Sequence, residues 1–341
     1  MEILANYPLK RLNSFGMAIT THRFATFSSV DELLFLLQQK KEEGDAALPL
    51  LILGGGSNML FRTNFPGWVL KNEIKGIEEL HEDVDYVYVR AGAGENWHSF
   101  VQYCIDRGWG GLENLSLIPG NVGASPMQNI GAYGVEIKDV FWDLRALHIE
   151  TGRVQTFTIG DCDFGYRESV FKTKFRNQYV ILDVTYCLRK KPLLNTSYGA
   201  IQQELSAAGI QQPAIRDIAN AVIHIRRSKL PDPAEIGNAG SFFKNPTISA
   251  EHFTRLQQTH PGIVGYPVPG QQVKLAAGWL IESAGWKGFR EGDAGVHPKQ
   301  ALVLVNYGNA SGADIYALSE KILHDIEAKF QVKLEREVNI I

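Results

Sequence analysis

Two glycine-rich stretches of the chain can bring backbone N–H groups close to a ligand. The first is Gly54-Gly55-Gly56-Ser57-Asn58, directly after the apolar run at 48–53, and the second runs from Leu117 to Gly134 with four glycines and two prolines. Glycine opens left-handed backbone conformations and proline lacks an N–H donor, so neither a regular helix nor a central strand is expected in the second stretch. Main-chain N–H groups of such loops bind phosphate oxygens or the edge of a flat heterocycle. Together the two loops predict a ligand with two phosphates and a large ring.

Other nucleotide-binding and metal-binding motifs fit the chain poorly. The Rossmann fingerprint needs a helix after its glycines, but the residues after Gly56 lack an amphipathic pattern, and no G-x-x-x-x-G-K-[ST] loop occurs. Cys104, Cys162 and Cys187 are odd in number and widely spaced, which argues against disulfides and zinc and predicts small buried apolar residues. No His, Asp or Glu group shows metal-ligand spacing, so we expect no metal, and a metal hydrolase is poorly supported.

Alternating helices and strands are expected to position the two loops. Ser29-Val30-Asp31-Glu32 has the pattern of a capping box, and leucines follow at helical spacing up to Gly44. A second apolar stripe over 95–107 predicts another helix, which ends at Gly108. Apolar, β-branched and aromatic runs predict strands at 48–53, 84–91, 144–149, 154–158 and 179–188. The first half is therefore expected to be an α+β or α/β domain.

The composition changes near Lys190-Lys191-Pro192, and a domain boundary is expected within 190–230. Residues 193–213 are expected to form a loop and a short helix, and 215–227 a helix that ends before the two prolines at 231 and 233. Residues 237–246 are expected to be a loop. Ser311 and Asp314 predict the start of a helix up to Phe330, and alternation over 332–341 predicts a final strand.

The overall composition limits the partners of the protein. Of 341 residues 45% are apolar and the formal net charge is −3, which indicates two or three well-packed domains without a basic surface for nucleic acid or an anionic membrane. The amino terminus lacks a basic segment followed by an apolar stretch, and no apolar run approaches the ~18 residues of a membrane span. We expect a cytoplasmic protein that contacts neither nucleic acid nor membrane. We also expect a monomer, since no exposed apolar stripe is evident.

Six motifs closely resemble those of the UDP-N-acetylenolpyruvoylglucosamine reductases of bacterial cell-wall synthesis. They include Phe-Gly-Tyr-Arg-Glu-Ser at 164–169 and Ala-Gly-Ser-Phe-Phe-Lys-Asn-Pro at 239–246, and the others lie at 54–58, 118–134, 229–233 and 276–282. All six occur in the family's order, and the resemblance covers the chain from about residue 6 to residue 341. Tyr198, in an inserted segment, resembles the loop tyrosine of the first of the family's two types, which closes over the substrate.

The resemblance implies an α+β fold with an FAD-binding domain of the vanillyl-alcohol-oxidase type, followed by an α+β substrate-binding domain. The FAD-binding domain would have two α+β subdomains at 1–66 and 67–190, with its FAD-binding region at about 17–190. Residues 191–228 would hold the tyrosine-loop insertion and a connecting helix. Residues 229–341 would form the substrate-binding domain, whose C-terminal strand carries Glu335.

The implied activity is the NADPH-dependent, FAD-mediated reduction of UDP-N-acetylglucosamine enolpyruvate to UDP-N-acetylmuramate. Hydride arriving at C3 of the enolpyruvyl group leaves negative charge at C2 that spreads into the carboxylate. By match to the family's motifs, Arg167 would pair with that carboxylate, because a guanidinium fork fits it in a bidentate manner. Ser241 would give the proton to C2, and Glu335 would support that acid. Arg336 stands where the family's pattern has proline, so the match does not determine the environment of Glu335.

The same match implies the binding residues. FAD would be held without a covalent bond, because none of the nine histidines lies in either glycine loop. The substrate would be held by Tyr166 at the enolpyruvyl group and, at the uridine diphosphate portion, by Tyr198, Lys229, Asn245, Tyr266 and Gln300, with Lys229 as the charge on phosphate. The implied FAD contacts are Gly54, Gly55, Gly56, Ser57, Asn58, Leu60, Pro119, Gly120, Gly123, Ala124, Ser125, Asn129 and Gly134.

Two other functions remain open from the residues alone. An FAD oxidase or dehydrogenase acting on an alcohol or sugar would keep the fold, but the motifs at 164–169 and 239–246 oppose it. A nucleotide-sugar binding protein without redox activity would purify without colour and would not take up FAD.

Overall fold

The computed structural model describes residues 2–341, which form two compact units. The first unit runs up to Tyr7 and includes Thr21–Gly55 and Pro66–Ser228. The second consists of Pro8–Thr20, Gly56–Phe65 and Lys229–Ile341. The four-part division at 66, 190 and 228 remains a prediction.

The helices lie between the strands in both units. Among residues 2–341, no helix combines the length and apolar character that crossing a lipid bilayer requires. The α-helices are α1 Val30–Glu42, α2 Trp97–Asp106, α3 Ile159–Cys162, α4 Gly199–Ala207, α5 Ile215–Lys229, α6 Ala250–Thr259, α7 Ala277–Ser283 and α8 Gly312–Phe330. Short 3₁₀ helices occur at Lys10–Leu12, Glu113–Leu115, Val122–Ala124 and Ile137–Asp139.

Two larger sheets carry the glycine-rich stretches of the first unit. In spatial order, one consists of Leu4–Pro8, Thr20–Phe27, Phe65–Asn72 and Leu50–Leu53, and its last two strands are parallel. The other is antiparallel and has the order Val154–Thr158, Phe141–His148, Tyr179–Arg189, Tyr86–Gly92 and Ile77–Glu82. Gly131–Ala132 and Val135–Glu136 form a small hairpin inside the second glycine-rich stretch.

The helices of the first unit pack on these sheets through the apolar faces that the sequence predicts. In α1 the Ser29 hydroxyl accepts the Glu32 N–H at 3.2 Å, and Leu33, Leu36 and Leu37 are buried against the first sheet's core. In α2 the buried residues Trp97, Phe100, Val101, Cys104 and Ile105 pack with the antiparallel sheet. Each buried leucine or phenylalanine contributes about 1.5–3 kcal/mol of transfer free energy, so both helices are held mainly by tertiary packing.

The second unit has its own sheets and core. One sheet has the order Gly237–Ser241, Val303–Asn306, Ala294–Val296 and Arg290–Glu291, and another has the order Thr247–Ser249, Gln272–Leu275 and Gly265–Val268. The short strands Asn339–Ile340 and Met59–Leu60 pair in parallel. Helix α8 begins with a capping box between Ser311 and Asp314, and its buried stripe includes Ile315, Leu318, Ile322, Ile326 and Phe330.

Most elements predicted from the sequence are confirmed. The helices expected at 30–43, 95–107, 215–227 and 312–330 correspond to α1, α2, α5 and α8, and the short helix expected within 193–213 is α4. Strands are present at each predicted run, namely Leu50–Leu53, Tyr86–Gly92, Phe141–His148, Val154–Thr158 and Tyr179–Arg189. Cys104 and Cys162 are buried, as expected, and Cys187 is half-buried.

Two predictions in the second half are wrong in part. Residues 237–246 contain the strand Gly237–Ser241, because small residues allow close backbone contact: a Cβ on Gly237 would lie 2.2 Å from the Phe15 carbonyl oxygen. The final strand is regular only at Asn339–Ile340. The expected alternation persists in burial, since Val332, Leu334 and Val338 are buried while Lys333 and Glu335 are exposed. Strand pairing in this segment before Asn339 is limited to one bridge, between Arg336 and Phe243.

Candidate active site

The two glycine-rich stretches meet in the first unit. Gly54 and Gly55 follow the strand Leu50–Leu53 and lie against Gly120 and Asn121 of the second stretch. A Cβ added to Gly55 would lie 2.8 Å from the Asn121 Oδ1 atom and 2.9 Å from the Gly120 Cα atom. Only a residue without a side chain permits this contact, so the glycines here bring two backbones together.

A third glycine turn, Gly92-Ala93-Gly94, completes this arrangement at the end of the strand Tyr86–Gly92. The Gly123 N–H donates to the Ala93 carbonyl at 3.0 Å, and the Asn121 side-chain amide donates to the Gly94 carbonyl at 2.8 Å. From the sequence we predict only the strand over 84–91 that precedes this turn. In the sequence, this turn is indicated by Gly92 and Gly94, which directly follow the apolar and aromatic run.

The converging glycine backbones form a cradle that fits a dinucleotide cofactor. The glycines let the backbones approach closely where the loops meet, and a Cβ at Gly123 would lie 2.6 Å from the Ala93 Cβ. Backbone of this kind can approach a pyrophosphate or a flat ring. The residues present therefore fit FAD, which Gly54, Gly55, Gly120, Gly123 and the exposed Ala124 would hold.

Ser125 and Asn129 hold the shape of the second stretch through their side chains. The Ser125 hydroxyl is 2.7 Å from the Tyr186 hydroxyl, and both residues are buried. Burial raises the pKa of Tyr186 far above its usual value, so its hydroxyl remains protonated. The Asn129 amide donates to Glu136 Oε2 at 2.9 Å and to the Gly165 carbonyl at 3.0 Å. These side chains therefore stabilise the loop.

The remaining implied FAD residues lie elsewhere. Gly134, at φ +80°, lies beside Asn195, whose side-chain amide donates to the Gly134 carbonyl at 3.1 Å. Pro119 precedes Gly120 in the second stretch. The other four residues, Gly56, Ser57, Asn58 and Leu60, belong to the second unit. Gly56 packs on the Leu12 carbonyl, and the Asn58 side-chain amide donates to the Glu337 carbonyl at 3.3 Å. Leu60 is buried and pairs with Ile340.

Arg167 is fixed to the second glycine-rich stretch. It lies in a tight turn closed by the Gly165–Glu168 bridge and has a left-handed backbone with φ +56°. Its Nη2 atom donates to the Gly131 carbonyl at 2.7 Å. The Tyr166 ring centre is 5.7 Å from the guanidinium carbon. A non-glycine residue in this backbone region is uncommon and marks a position that its surroundings hold.

Arg226 provides a second guanidinium at the same loop, although it lies outside the six sequence motifs. Its Nε atom donates to the Leu117 carbonyl at 3.1 Å from helix α5. Burial lowers the pKa of Arg226, the Tyr133 hydroxyl opposes that shift, and the charge of Arg167 adds to it. Arginine stays charged in proteins, so the two cations make this loop attractive to an anion. The available signal is the adjacent pair Arg226-Arg227 near the end of an amphipathic helix.

Tyr198 contacts the glycine-rich stretch through another tyrosine. Its half-exposed ring packs edge-to-face on Tyr133, with ring centres 5.1 Å apart. Burial raises the pKa of Tyr133, so its hydroxyl remains a donor, and the Arg226 charge partly opposes that shift. Asn114 donates to the carbonyls of Tyr133 and Asn195, at 3.1 and 2.9 Å, and thereby joins the segment before Tyr198 to the loop.

In the second unit, Ser241 and Glu335 lie on neighbouring segments. Ser241 ends the strand Gly237–Ser241, and three residues later the Lys244 N–H donates to the Glu335 carbonyl at 2.9 Å. The Lys244 ammonium is also 3.1 Å from Glu335 Oε2. The Glu335 side chain is 74% exposed in this arrangement, so its surroundings are polar. Arg336 turns away and bonds Ser319 Oγ at 2.9 Å.

The implied substrate residues of the second unit occupy separate elements. Asn245 caps helix α7, since its Oδ1 accepts the Ala277 N–H at 3.0 Å. Gln300 Oε1 accepts the Leu302 N–H at 3.3 Å. Tyr266 is 60% exposed on the strand Gly265–Val268, and the exposed Lys229 is the last residue of α5. Within residues 2–341, no group of three or more His, Cys, Asp or Glu side chains is placed to hold a metal ion.

The fold and the glycine cradle define a flavoprotein with an FAD-binding domain. A family model described as FAD binding domain matches residues 22–158, and one for the C-terminal domain of UDP-N-acetylenolpyruvoylglucosamine reductase matches residues 232–341. Two curated relatives carry that reductase name. The one from Flavobacterium johnsoniae is 49% identical and covers 100% of both chains; the one from Pseudomonas fluorescens is 51% identical and covers 100% of this chain and 99% of its own. The chain belongs to the UDP-N-acetylenolpyruvoylglucosamine reductase family.

The fold class is confirmed by a solved structure as well. The reductase from Thermus caldophilus superposes with a TM-score of 0.66, although it is only 23% identical, and covers 99% of this chain and 98% of its own. The predicted α+β architecture with an FAD-binding domain ahead of a second α+β domain therefore holds.

Proposed function

We propose that the protein reduces UDP-N-acetylglucosamine enolpyruvate to UDP-N-acetylmuramate with NADPH, a step in peptidoglycan precursor synthesis. One NADPH and one proton are consumed, NADP⁺ is released, and the C2–C3 double bond of the enolpyruvyl ether is reduced. FAD, held by the glycine cradle, would supply the hydride for C3 after its reduction by NADPH. The protein side chains have to hold the charge that develops at C2 and supply the proton.

The fixed guanidinium of Arg167 is the observation that carries this proposal. Its bond to the Gly131 carbonyl, at 2.7 Å, joins the cation to the loop that forms the glycine cradle. Negative charge at C2 spreads into the adjacent carboxylate, and a guanidinium held in place stabilises that charge without reorganisation. Arg226 increases the positive potential at the same loop. Tyr166, beside Arg167, orients the enolpyruvyl group.

Ser241 donates the proton to C2 in this mechanism. An alkoxide left on serine is acceptable because the carbanion at C2 is a strong base, and solvent then returns the proton to the serine oxygen. Glu335 supports the donor, and Lys244 holds its carboxylate from 3.1 Å. General acid groups of this kind contribute roughly 10²–10⁴ in rate.

The remaining assignments follow from the family match. Lys229 pairs with the diphosphate, and Tyr198, Asn245, Tyr266 and Gln300 bind the rest of the uridine diphosphate portion. FAD is held without a covalent bond by the glycine cradle and by residues near it in sequence. These residues are Gly56 to Asn58, Leu60, Pro119, Ser125, Asn129 and Gly134. The parts 1–66 and 67–190 act as the FAD-binding subdomains, 191–228 as the substrate-closing insertion and 229–341 as the substrate-binding domain. The protein is expected to act on these small-molecule substrates as a monomer in the cytoplasm.

Ser241→Ala tests the mechanism by its two half-reactions. We expect NADPH to bleach the flavin at the wild-type rate, and return of the flavin absorbance on adding substrate to slow by roughly 10²–10⁴. Anaerobic stopped-flow absorbance measures both steps. Ser283→Ala, an exposed serine at the end of α7, is the control and keeps both rates. Equal slowing of both half-reactions by Ser241→Ala would reject the proton-donor role.

A further inference from the structure

The strand that carries Ser241 contains a β-bulge immediately before it. Asn238 lies opposite Val305 and Ser241 lies opposite Val303, so Ala239 and Gly240 together face the single residue Leu304. One extra residue of this kind bends a strand and changes the direction of the side chains that follow it. Gly240 has φ +70°, the left-handed region that glycine adopts without strain.

The bulge decides on which face of the sheet the Ser241 side chain lies. Side chains of a strand alternate between faces, and residues paired across two strands share a face. With the bulge, Ser241 shares the face of its partner Val303. Without the extra residue, Gly240 would pair with Val303 and the Ser241 hydroxyl would turn to the opposite face.

The side chain of Asn238 holds the bulge in place. Asn238 is 2% exposed, and its Oδ1 accepts the Gly240 N–H at 2.9 Å. Its Nδ2 donates to the carbonyls of Ile236 and Pro231, at 2.8 and 3.2 Å. The oxygen and the nitrogen of this buried amide therefore both have hydrogen-bond partners when the bulge is present. A different strand register would leave these polar atoms buried without partners, which costs free energy of folding.

The same amide joins two motifs of the proposed site. Pro231 belongs to the stretch that begins at Lys229, and Gly240 precedes Ser241. The backbone N–H of Asn238 also donates to the Ser14 carbonyl at 3.0 Å, which fixes Asn238 itself. A displacement of Asn238 therefore changes the backbone on both sides of it.

We propose that Asn238 is a positioning residue for Ser241, which acts by holding the Ala239–Gly240 bulge so that the serine hydroxyl faces C2 of the substrate. The inference rests on the proposed function, because it needs Ser241 to be the proton donor. Asn238 itself contacts neither substrate nor cofactor in this role.

Two variants test the role, and a third controls for backbone strain. Asn238→Ala removes the amide and is expected to slow the second half-reaction about a hundredfold, the typical cost of displacing a catalytic group by about 1 Å. Gly240→Ala adds a Cβ that meets nothing within 4 Å, so it acts only by disfavouring φ +70°, and is expected to cost about tenfold. Gly292→Ala, in a turn of the same sheet, has φ +61° and equal space, and should leave both half-reactions at wild-type rates.

The configuration at C2 separates positioning from a merely structural role. A displaced serine lets water protonate C2 from either face, so Asn238→Ala and Gly240→Ala should give product with both C2 epimers, detectable by NMR. A merely structural role would lower the melting temperature and keep a single C2 epimer, which is the result we expect for Gly292→Ala. If Asn238→Ala does not fold, Gly240→Ala decides the question.

The parallel Ser241→Ala variant distinguishes failure of this inference from failure of the proposed function. If Ser241→Ala slows the second half-reaction while Asn238→Ala and Gly240→Ala keep its rate and a single C2 epimer, the positioning role is overturned and the donor assignment survives. If Ser241→Ala leaves that rate unchanged, the donor assignment falls and the positioning role falls with it.

Discussion

Leu117 begins the second glycine-rich stretch with its backbone held at both ends by basic side chains. It has φ +59°, its N–H donates to His98 Nδ1 at 3.0 Å, and its carbonyl accepts Arg226 Nε at 3.1 Å. Burial lowers the pKa of His98, and the charges of Arg227 and Arg226 lower it further. The imidazole therefore stays neutral and keeps the acceptor that the Leu117 N–H needs.

A pH dependence of stability follows from the lowered His98 pKa. In the unfolded state the His98 imidazole takes up a proton near pH 6.5, whereas in the folded state it does so only at lower pH. The contribution of neutral His98 to stability is therefore present above pH 6.5 and is lost as the pH falls through the folded-state pKa. One proton limits the slope to about 1.4 kcal/mol per pH unit. Urea unfolding on both sides of pH 6.5 measures this slope, and His98→Gln should reduce it. Burial also lowers the pKa of His297, which contributes to the same pH dependence. The wild type must therefore be compared with His98→Gln, and equal slopes of unfolding free energy against pH in the two proteins would contradict the role of His98.

The buried strands were predictable because each is a short run of apolar, β-branched and aromatic residues. The helices were predictable because each buries one apolar face that has a helical period in the sequence. Helix α8 shows this, since its predicted stripe and its Ser311 cap are both observed. The bulged strand Gly237–Ser241 was not predictable, because its register depends on the side chain of Asn238 and on a partner strand about 60 residues away. Arg226 was missed for a similar reason: its contact with the Leu117 carbonyl spans 109 residues.

At the level of elements, the contact between the glycine loops predicts a specific sensitivity. Gly55→Ala would place a Cβ 2.9 Å from the Gly120 Cα atom, so the loops must separate. We expect FAD affinity to fall at least tenfold, a cost of about 1.4 kcal/mol. Gly160→Ala is the control, since its Cβ meets its first neighbour at 4.0 Å. Flavin fluorescence titration of the apoprotein measures both, and wild-type affinity in Gly55→Ala would argue against the cradle.

At the scale of the whole molecule, the chain forms two compact units whose segments are not continuous in sequence. Pro8–Thr20 and Gly56–Phe65 belong with Lys229–Ile341, and Phe15, Met17 and Leu60 are buried in that unit's core. Local patterns carry no signal for such an arrangement, because several partners of these segments lie more than 200 residues away, as in the Asn306 bond to the Phe15 carbonyl. The motifs, in contrast, were informative because each is a short run with fixed residue types.

The proposed function consists of two half-reactions, reduction of the flavin by NADPH and reduction of the enolpyruvyl group by the flavin. The most direct measurement is the anaerobic visible absorbance of the purified protein during addition of NADPH and then of UDP-N-acetylglucosamine enolpyruvate. We predict that NADPH bleaches the flavin bands and that the substrate restores them without oxygen. Flavin that stays bleached until air is admitted would contradict the substrate assignment and indicate an oxidase.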